Sequence, residues 1–288
     1  MAMESQSQLP EGISSSPKVY IGTSAIMTFL STVFVGLRLS ARILTIKIKQ
    51  DDWACVGALV FGYGLLITTV LLATIGHRGY DRELYDQSTL AIGNKLILAN
   101  NIIYTMSVSL AKISVLLFYR RIFAPSKPFL QATVAMGALV IGYWVAAIFG
   151  LIFAYSPIEA QFEPWLPNKS INTEALWMST GIINMLLDIS ILLMPQPLVW
   201  RLQMSCRRKT LLSIVFSLGS FVCIASILRV YYISDITNNL YFIGMWTMIE
   251  TNMSIICFCL PLLPSLVNAF RLRLGRGTKL LDAGHCHE

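Results

Sequence analysis

Between Lys95 and Phe123 the chain reads KLILANNIIYTMSVSLAKISVLLFYRRIF, and this stretch restricts the fold more than any other. It is long enough to cross a bilayer as a helix, because about 20 mostly apolar residues span ~30 Å of hydrocarbon. Yet it is unlike a span that faces lipid. Asn100, Asn101 and Lys112 lie inside it, and Tyr119, Arg120 and Arg121 end it. A charge inside a membrane helix costs at least about 2.5 kcal/mol on insertion scales, so such residues face protein or water. The stretch therefore predicts other helices packed around it.

Six further apolar stretches supply them, at 20–37, 53–75, 129–155, 175–200, 210–233 and 241–267. Only 13% of the residues are charged and 55% are hydrophobic, against roughly 25% charged in a soluble protein. The fold class that follows is all-α, a polytopic membrane protein built as a bundle of seven transmembrane helices. Residues 1–18 are polar and lack a basic n-region, which predicts a disordered tail rather than a signal peptide. Residues 19–268 form the membrane domain, and 269–288 a short basic tail. Gly57, Gly62 and Gly64 in the second span suit close helix contact.

Seven spans place the termini on opposite sides. Fifteen Lys and Arg residues fall on the loops after spans one, three and five and on the C-terminal tail. Four fall on the other side, and Lys95, Lys112 and Arg229 lie in spans. The positive-inside rule then puts the N-terminus outside or in a lumen and the C-terminus in the cytosol. The formal charge of +7 is accounted for by this orientation, and the basic residues form no patch interleaved with aromatics of the kind that binds nucleic acid. The membrane is the endoplasmic reticulum or the plasma membrane. Asn168-Lys169-Ser170 is a glycosylation sequon in the outer loop between spans four and five. Asn252-Met253-Ser254 lies within span seven and is unusable.

Five intramembrane polar positions stand out. Arg229 and Glu250 sit at similar depth in the outer halves of spans six and seven. Asn184 and Asp188 are one turn apart on span five and share a face. Lys112 and Asp188 both lie in inner halves. Two ion pairs are expected, Arg229 with Glu250 and a structural pair of Lys112 with Asp188. The chemical reading makes Glu250 an acid or base, with Arg229 orienting it or gripping an anion. Asn100, Asn101, Tyr104, Trp246 and Asn184 are the candidate lining of a ligand cavity. Tyr231, Tyr232, Tyr241 and Trp246 also suit an interfacial belt.

Other chemistries lack their residues. Retinal needs a lysine in the seventh span, and 241–267 has none. His77, His285 and His287 all lie outside the spans, which leaves no intramembrane His–metal site. Gly284–Glu288, GHCHE, carries ligand types but no enclosing fold. Cys55, Cys206, Cys223, Cys257, Cys259 and Cys286 form no CxxC, and most sit in or beside apolar runs as small hydrophobes. No metal and no cofactor is expected.

A set of short marks recurs in order between Gly36 and Pro264. They are Arg38 and Arg42 ahead of Asp51-Asp52-Trp53, Gly76-His77, Lys112-Ile113-Ser114, Phe118 to Phe123, Pro157, Asn184, Asp188, Pro195 and Pro197, Lys209, Gly219, Arg229, Trp246, Glu250 and Pro261. In this order the chain resembles the fungal rhodopsin-domain membrane proteins, which include a satratoxin-cluster membrane protein and are similar to Pth-type fungal receptors. The resemblance implies a seven-helix protein that is either receptor-like or part of a secondary-metabolite cluster. It also implies a cysteine after span four and another before span five, joined in an outer-loop disulfide. Here those positions are Tyr155 or Ser156 and Ser170, so the bridge is missing.

The function expected is that of a membrane component of a fungal secondary-metabolite pathway. It binds or converts an apolar intermediate in the bundle, with acid–base-promoted cyclisation as one chemistry, and its partners are the bilayer, that small molecule and other pathway enzymes. The alternative is a receptor-like sensor using the basic loops 38–52 and 201–209 as its cytosolic surface. A transporter ranks third, since inverted repeats and paired broken helices are not evident. If the orientation is right, Asn168→Gln removes an endoglycosidase-sensitive gel shift, while a protease added to sealed microsomes cuts a C-terminal epitope tag. A protected tag would reverse the orientation.

Overall fold

The computed structural model describes residues 17–45, 49–75, 87–122, 127–163, 165, 167, 169–196 and 206–260. Asn168, His77 and the C-terminal tail lie outside the described residues, as does most of the N-terminal tail. Seven α-helices are described: α1 Pro17–Thr45, α2 Gln50–Thr74, α3 Gln87–Ile122, α4 Lys127–Ile152, α5 Thr173–Leu193, α6 Cys206–Ile233 and α7 Ile236–Cys259. All but α6 are long and apolar enough to cross a membrane, and the apolar part of α6 among the described residues is Ser217–Ile233. The chain is therefore a multi-pass membrane protein.

Each helix packs against the next, and α7 returns to α1, which closes a ring. α3 also reaches α5 and α7 across it. The burial pattern follows. In α3 and α7 67% of the most apolar window is inside the protein, against 22% in α4 and 28% in α1 and α5. The outer helices show lipid large apolar side chains such as Phe29, Ile67, Phe149 and Ile224.

α2 and α3 make the most extensive contact. A Cβ at Gly57 or Gly64 would lie 3.3 Å from Leu110 or Ile103, so the missing side chains let the two helices approach. Hydroxyls then reach across. Ser107 donates to the Ala58 carbonyl at 2.7 Å, Ser114 to the Asp51 carbonyl at 2.7 Å, and Thr68 to Asn100 at 2.9 Å. Such bonds between membrane helices contribute about 0.6–1.7 kcal/mol each. A tyrosine- and phenylalanine-rich core joins α3, α4 and α5 around Tyr119, Phe129 and Tyr143.

Several boundaries differ from those read off hydropathy. The first span was expected to stop at residue 37, with Arg38 and Arg42 in a cytosolic loop. Instead α1 continues to Thr45 and buries both. The cause is a four-charge cluster at the start of α2. Arg38 donates to Asp52 and to Asp51, both at 2.9 Å. Arg42 donates to Asp51 at 2.6 Å and to Asp52 at 3.3 Å. The remaining Asp52 oxygen accepts the Lys49 amide at 3.0 Å, inside the first turn of α2, where a carboxylate also meets the positive end of the helix dipole. Arg38 spends its third donor on the Phe258 carbonyl at the end of α7, at 2.8 Å. One residue thus ties three helices.

α3 starts at Gln87, eight residues before the expected span, and its 36 residues run for about 54 Å. α5 ends at Leu193 rather than at residue 200, since Pro195 and Pro197 oppose continuation. Residues 197–205 lie outside the described residues.

Between α4 and α5 the loop folds on itself. Strand β1, Tyr155–Ser156, pairs antiparallel with β2, Lys169–Ser170, and Tyr155 stands opposite Ser170. The Tyr155 hydroxyl also lies 3.2 Å from that of Thr173. The positions where the resemblance implied cysteines are thus joined by a two-residue ladder. A single 3-10 turn, Ile158–Gln161, follows β1. Beyond it Phe162 meets the start of α3, with the Lys95 ammonium 5.6 Å from its ring centre.

Arg38→Met should destabilise the protein by ~3–5 kcal/mol, as expected when one partner of a buried ion cluster is removed. The measurement is a thermal melt of purified protein in detergent, with exposed Lys127→Ala as the neutral control. Equal melting temperatures would remove the cluster from its structural role.

Candidate functional site

The remaining buried charges meet on the inner faces of α3, α5, α6 and α7. Glu250 of α7 is completely buried. Its Oε2 accepts Arg229 Nη1 from α6 at 3.2 Å. Its Oε1 accepts two donors at 2.7 Å, the Ser226 hydroxyl from α6 and Asn184 Nδ2 from α5. Three charge-assisted hydrogen bonds therefore hold one carboxylate. Arg229 also stacks on α3, with its guanidinium carbon 4.4 Å from the centre of the Tyr104 ring, a cation–π contact.

Local sequence explains why these side chains reach each other. Ser226 and Arg229 are three residues apart, so one face of α6 presents both to Glu250. Gly181 precedes Asn184 by one turn on α5. A Cβ there would stand 3.1 Å from Val230 and 3.5 Å from Arg229 Nη2, so the glycine leaves room for the guanidinium. Farther along the bundle, Lys112 of α3 donates to Asp188 of α5 at 2.5 Å, and both are buried.

Asn184 joins the two pairs. Its Nδ2 lies 2.7 Å from Glu250, 3.2 Å from the Tyr104 hydroxyl and 3.5 Å from Asp188. Depth counting assigned the pairs to separate halves of the membrane. They form one network of two cations and two carboxylates that is neutral overall. Its Oδ1 is a different matter. That oxygen is buried and has no hydrogen-bond partner, although an unmet buried acceptor costs about 1–3 kcal/mol.

Beside the network, toward the end of the bundle that carries Tyr155, is a cavity of about 40 Å³. It holds about three water-sized groups. Asn101, Tyr104, Thr105, Tyr143, Trp177, Thr180, Arg229 and Thr247 are its polar and aromatic lining, with Ala147, Leu151, Ile233 and Ile243 completing it. Three of these hydroxyls are committed as donors to their own helices: Thr105 to Asn101, Thr180 to Leu176 and Thr247 to Ile243. Arg229 is the cation at this wall, while Glu250 stands behind it and does not line the cavity. A second cavity of about 30 Å³ near Asp188 is nearly all apolar.

The candidate residues divide accordingly. Glu250, Arg229, Asn184, Tyr104, Lys112 and Asp188 come together, and Asn101 lines the cavity. Asn100 does not. It is bound to Thr68 of α2, because adjacent residues of a helix point about 100° apart. Trp246 is half-buried and also outside the cavity lining. Ile243 and Thr247, four residues apart, form the cavity face of α7, and Trp246 lies one step round from it. Ser226, Gly181 and Tyr143 were not singled out from sequence. Their offsets of three from Arg229 and Asn184 were the available signal for the first two. Among the described residues no group of three or more His, Cys, Asp or Glu side chains is placed to hold a metal ion.

A family model of the fungal rhodopsin domain matches residues 37–269. The receptor GIN3 of Arthrobotrys oligospora is 30% identical over 250 residues, covering 84% of this chain and 60% of the receptor. The polyenoic acids biosynthesis gene cluster protein Ba17b of Metarhizium anisopliae is 29% identical over 258 residues, 82% of this chain and 70% of that one. An SAT4 family membrane protein of Emericella nidulans is 30% identical over 207 residues, 71% of this chain and 53% of its own length. The chain thus spans less than two thirds of the receptor and of the SAT4 family protein. No solved structure matches it.

Lys112→Met and Asp188→Leu should each cost ~3–5 kcal/mol alone, because each strands a buried charge, whereas the double variant should recover most of that loss. Melting temperatures of the three purified variants decide it. A double variant as unstable as the two losses added would mean that the two charges are not energetically a pair.

Proposed function

The chain belongs to the fungal rhodopsin domain family, and from that premise we propose that it is a membrane component of a fungal secondary-metabolite pathway that binds an apolar intermediate beside Arg229. The observation that carries this reading is a buried guanidinium on the wall of a small cavity lined by aromatic, hydroxyl-bearing and aliphatic side chains. Small-molecule sites combine apolar walls with a few placed polar groups, and this cavity of about 40 Å³ has room for the polar end of such a molecule. Relatives named for biosynthesis clusters, such as the polyenoic acids cluster protein, support placing that small molecule in a pathway.

In this reading Arg229 touches the ligand, Tyr104 and Glu250 hold Arg229 in place, and Asn101 sets the polar rim. Glu250 is the acid–base group of the site. It works through Arg229, since a carboxylate with three donors and no exposed surface must first lose one of them to exchange a proton with a ligand. A cyclisation promoted in this way requires one donor to withdraw, either Asn184 on α5 or one of the pair on α6.

A second reading, a receptor-like sensor, is favoured by the similarity to the receptor over 84% of this chain. The same cavity would then be the ligand site and the buried network the element that responds. Deletion of the gene, followed by metabolite profiling with wild type, Arg229→Gln and Glu250→Gln restored in turn, separates the two. The pathway reading expects a lost or accumulated product in the deletion and both variants, with the protein retained in the membrane. An unchanged profile, together with a ligand-dependent G-protein response, would replace it with the receptor.

A further inference from the structure

We infer that the Arg229 cavity takes the carboxyl group of an apolar carboxylic acid, and that binding moves one proton onto Glu250. This rests on the cavity being the ligand site, as proposed above, and adds the ligand's chemical class.

Charge balance carries the first step. The network holds Lys112, Arg229, Asp188 and Glu250, all buried, and is neutral as it stands. An anion added to it would leave an unpaired charge in a low-dielectric interior, which is strongly disfavoured. A neutral acid entering from the membrane avoids this. Once Asn184 has withdrawn its donor, the Glu250 carboxylate takes up the proton that the acid loses, and the acid becomes the carboxylate that Arg229 holds. One O–H bond breaks on the ligand, one forms on Glu250, and the four-charge balance is unchanged.

Asn184 supplies the second observation. Its Oδ1 is buried without a partner, while its Nδ2 faces three acceptors, on Glu250, Tyr104 and Asp188. An amide has two N–H bonds for those three. A protonated Glu250 reverses the need, because its O–H then seeks an acceptor. Rotation of the Asn184 amide brings Oδ1 to that hydroxyl and satisfies both, while turning Nδ2 away from the Tyr104 hydroxyl and Asp188. The unmet oxygen is thus the complement of the protonated state.

Geometry places the ligand. Arg229 binds Glu250 through one nitrogen at 3.2 Å, so its planar fork is not spent in a bidentate pair and suits a carboxylate from the cavity side. The cavity has room for a carboxyl group but not for a long chain. The apolar body is placed between α4 and α5, the neighbours that pack least extensively in the ring, next to Ala147 and Leu151 of α4 and Trp177 of α5 on the cavity wall.

Other charges facing Glu250 are few. Arg229 and the Cys223 thiol come from α6, Asp188 from α5, Tyr104 and Lys112 from α3, and Tyr143 from α4. α1 and α2 offer α7 the Arg38, Arg42, Asp51 and Asp52 cluster, which meets it at Phe258, eight residues or about 12 Å farther along the helix.

The test uses octanoate and methyl octanoate with the full-length protein in nanodiscs, read by calorimetry in two buffers of different ionisation enthalpy. Octanoate should bind at least tenfold tighter than its ester and take up one proton. Its affinity should fall about tenfold per pH unit between pH 6 and 8, the slope for one linked proton. Glu250→Gln should bind octanoate with no pH dependence, and Arg229→Gln should lose the preference for acid over ester. Competition with palmitate distinguishes the source: displacement assigns the site to membrane fatty acids, and lack of it to smaller apolar acids. Equal binding of acid and ester by wild type, octanoate binding without proton uptake, or no binding of either overturns the inference without any variant having to fold. Those results would leave the pathway reading to stand or fall on the metabolite profile alone.

Discussion

A charge inside a membrane protein has to be matched by another charge, because neither lipid nor a dry interior solvates it. Lys112 on α3 and Arg229 on α6 have their matching carboxylates on α5 and α7. These four helices must therefore meet on their inner faces, whatever the loops between them do. Breaking any one of these contacts strands a buried ion at a cost of several kcal/mol, about 3–5 for a pair. Hydrophobic contact could not impose this arrangement, since lipid tails are as apolar as leucine.

The same requirement acts at the other end of the bundle. Arg38, Arg42, Asp51 and Asp52 form a second neutral cluster that joins α1 and α2, and Arg38 extends it to the last carbonyl-bearing turn of α7. α7 is thus held at two levels, by Glu250 near its middle and by Phe258 near its end. Between these levels Ser31 of α1 donates to Asn252 of α7 at 2.8 Å, a contact between neutral groups. A ligand at Arg229 would alter the first attachment and leave the second in place, which makes α6 and α7 the helices through which binding is felt.

Much of this was legible along the chain. Apolar stretches of bilayer length marked the helices, and embedded charges of opposite sign at matching depth identified Arg229 with Glu250 and Lys112 with Asp188. Depth is one coordinate, however, and rise per residue provides only that. Rotation about each helix axis decided that Asn101 meets the cavity while Asn100 turns to α2. Arg38 and Arg42 shared the composition of a cytosolic loop. What distinguished them was the Asp51-Asp52 pair a few residues on, and hydropathy counts both sets as equally polar. Asn168 falls outside the described residues.

The sequence by itself determined that this is a helical membrane protein, which helices carry buried charge, and that those charges must find partners. It did so because helix length, hydropathy and the cost of a lone ion depend on residue type and local spacing. Tertiary structure decided that two pairs become one network through Asn184, that Glu250 stands behind Arg229 rather than in the cavity, and that Tyr155 and Ser170 meet in a ladder where a disulfide was implied. Those outcomes depend on side chains 66 or 80 residues apart arriving within 2.7 to 3.2 Å of each other. Only the order and rotation of packed helices sets such distances.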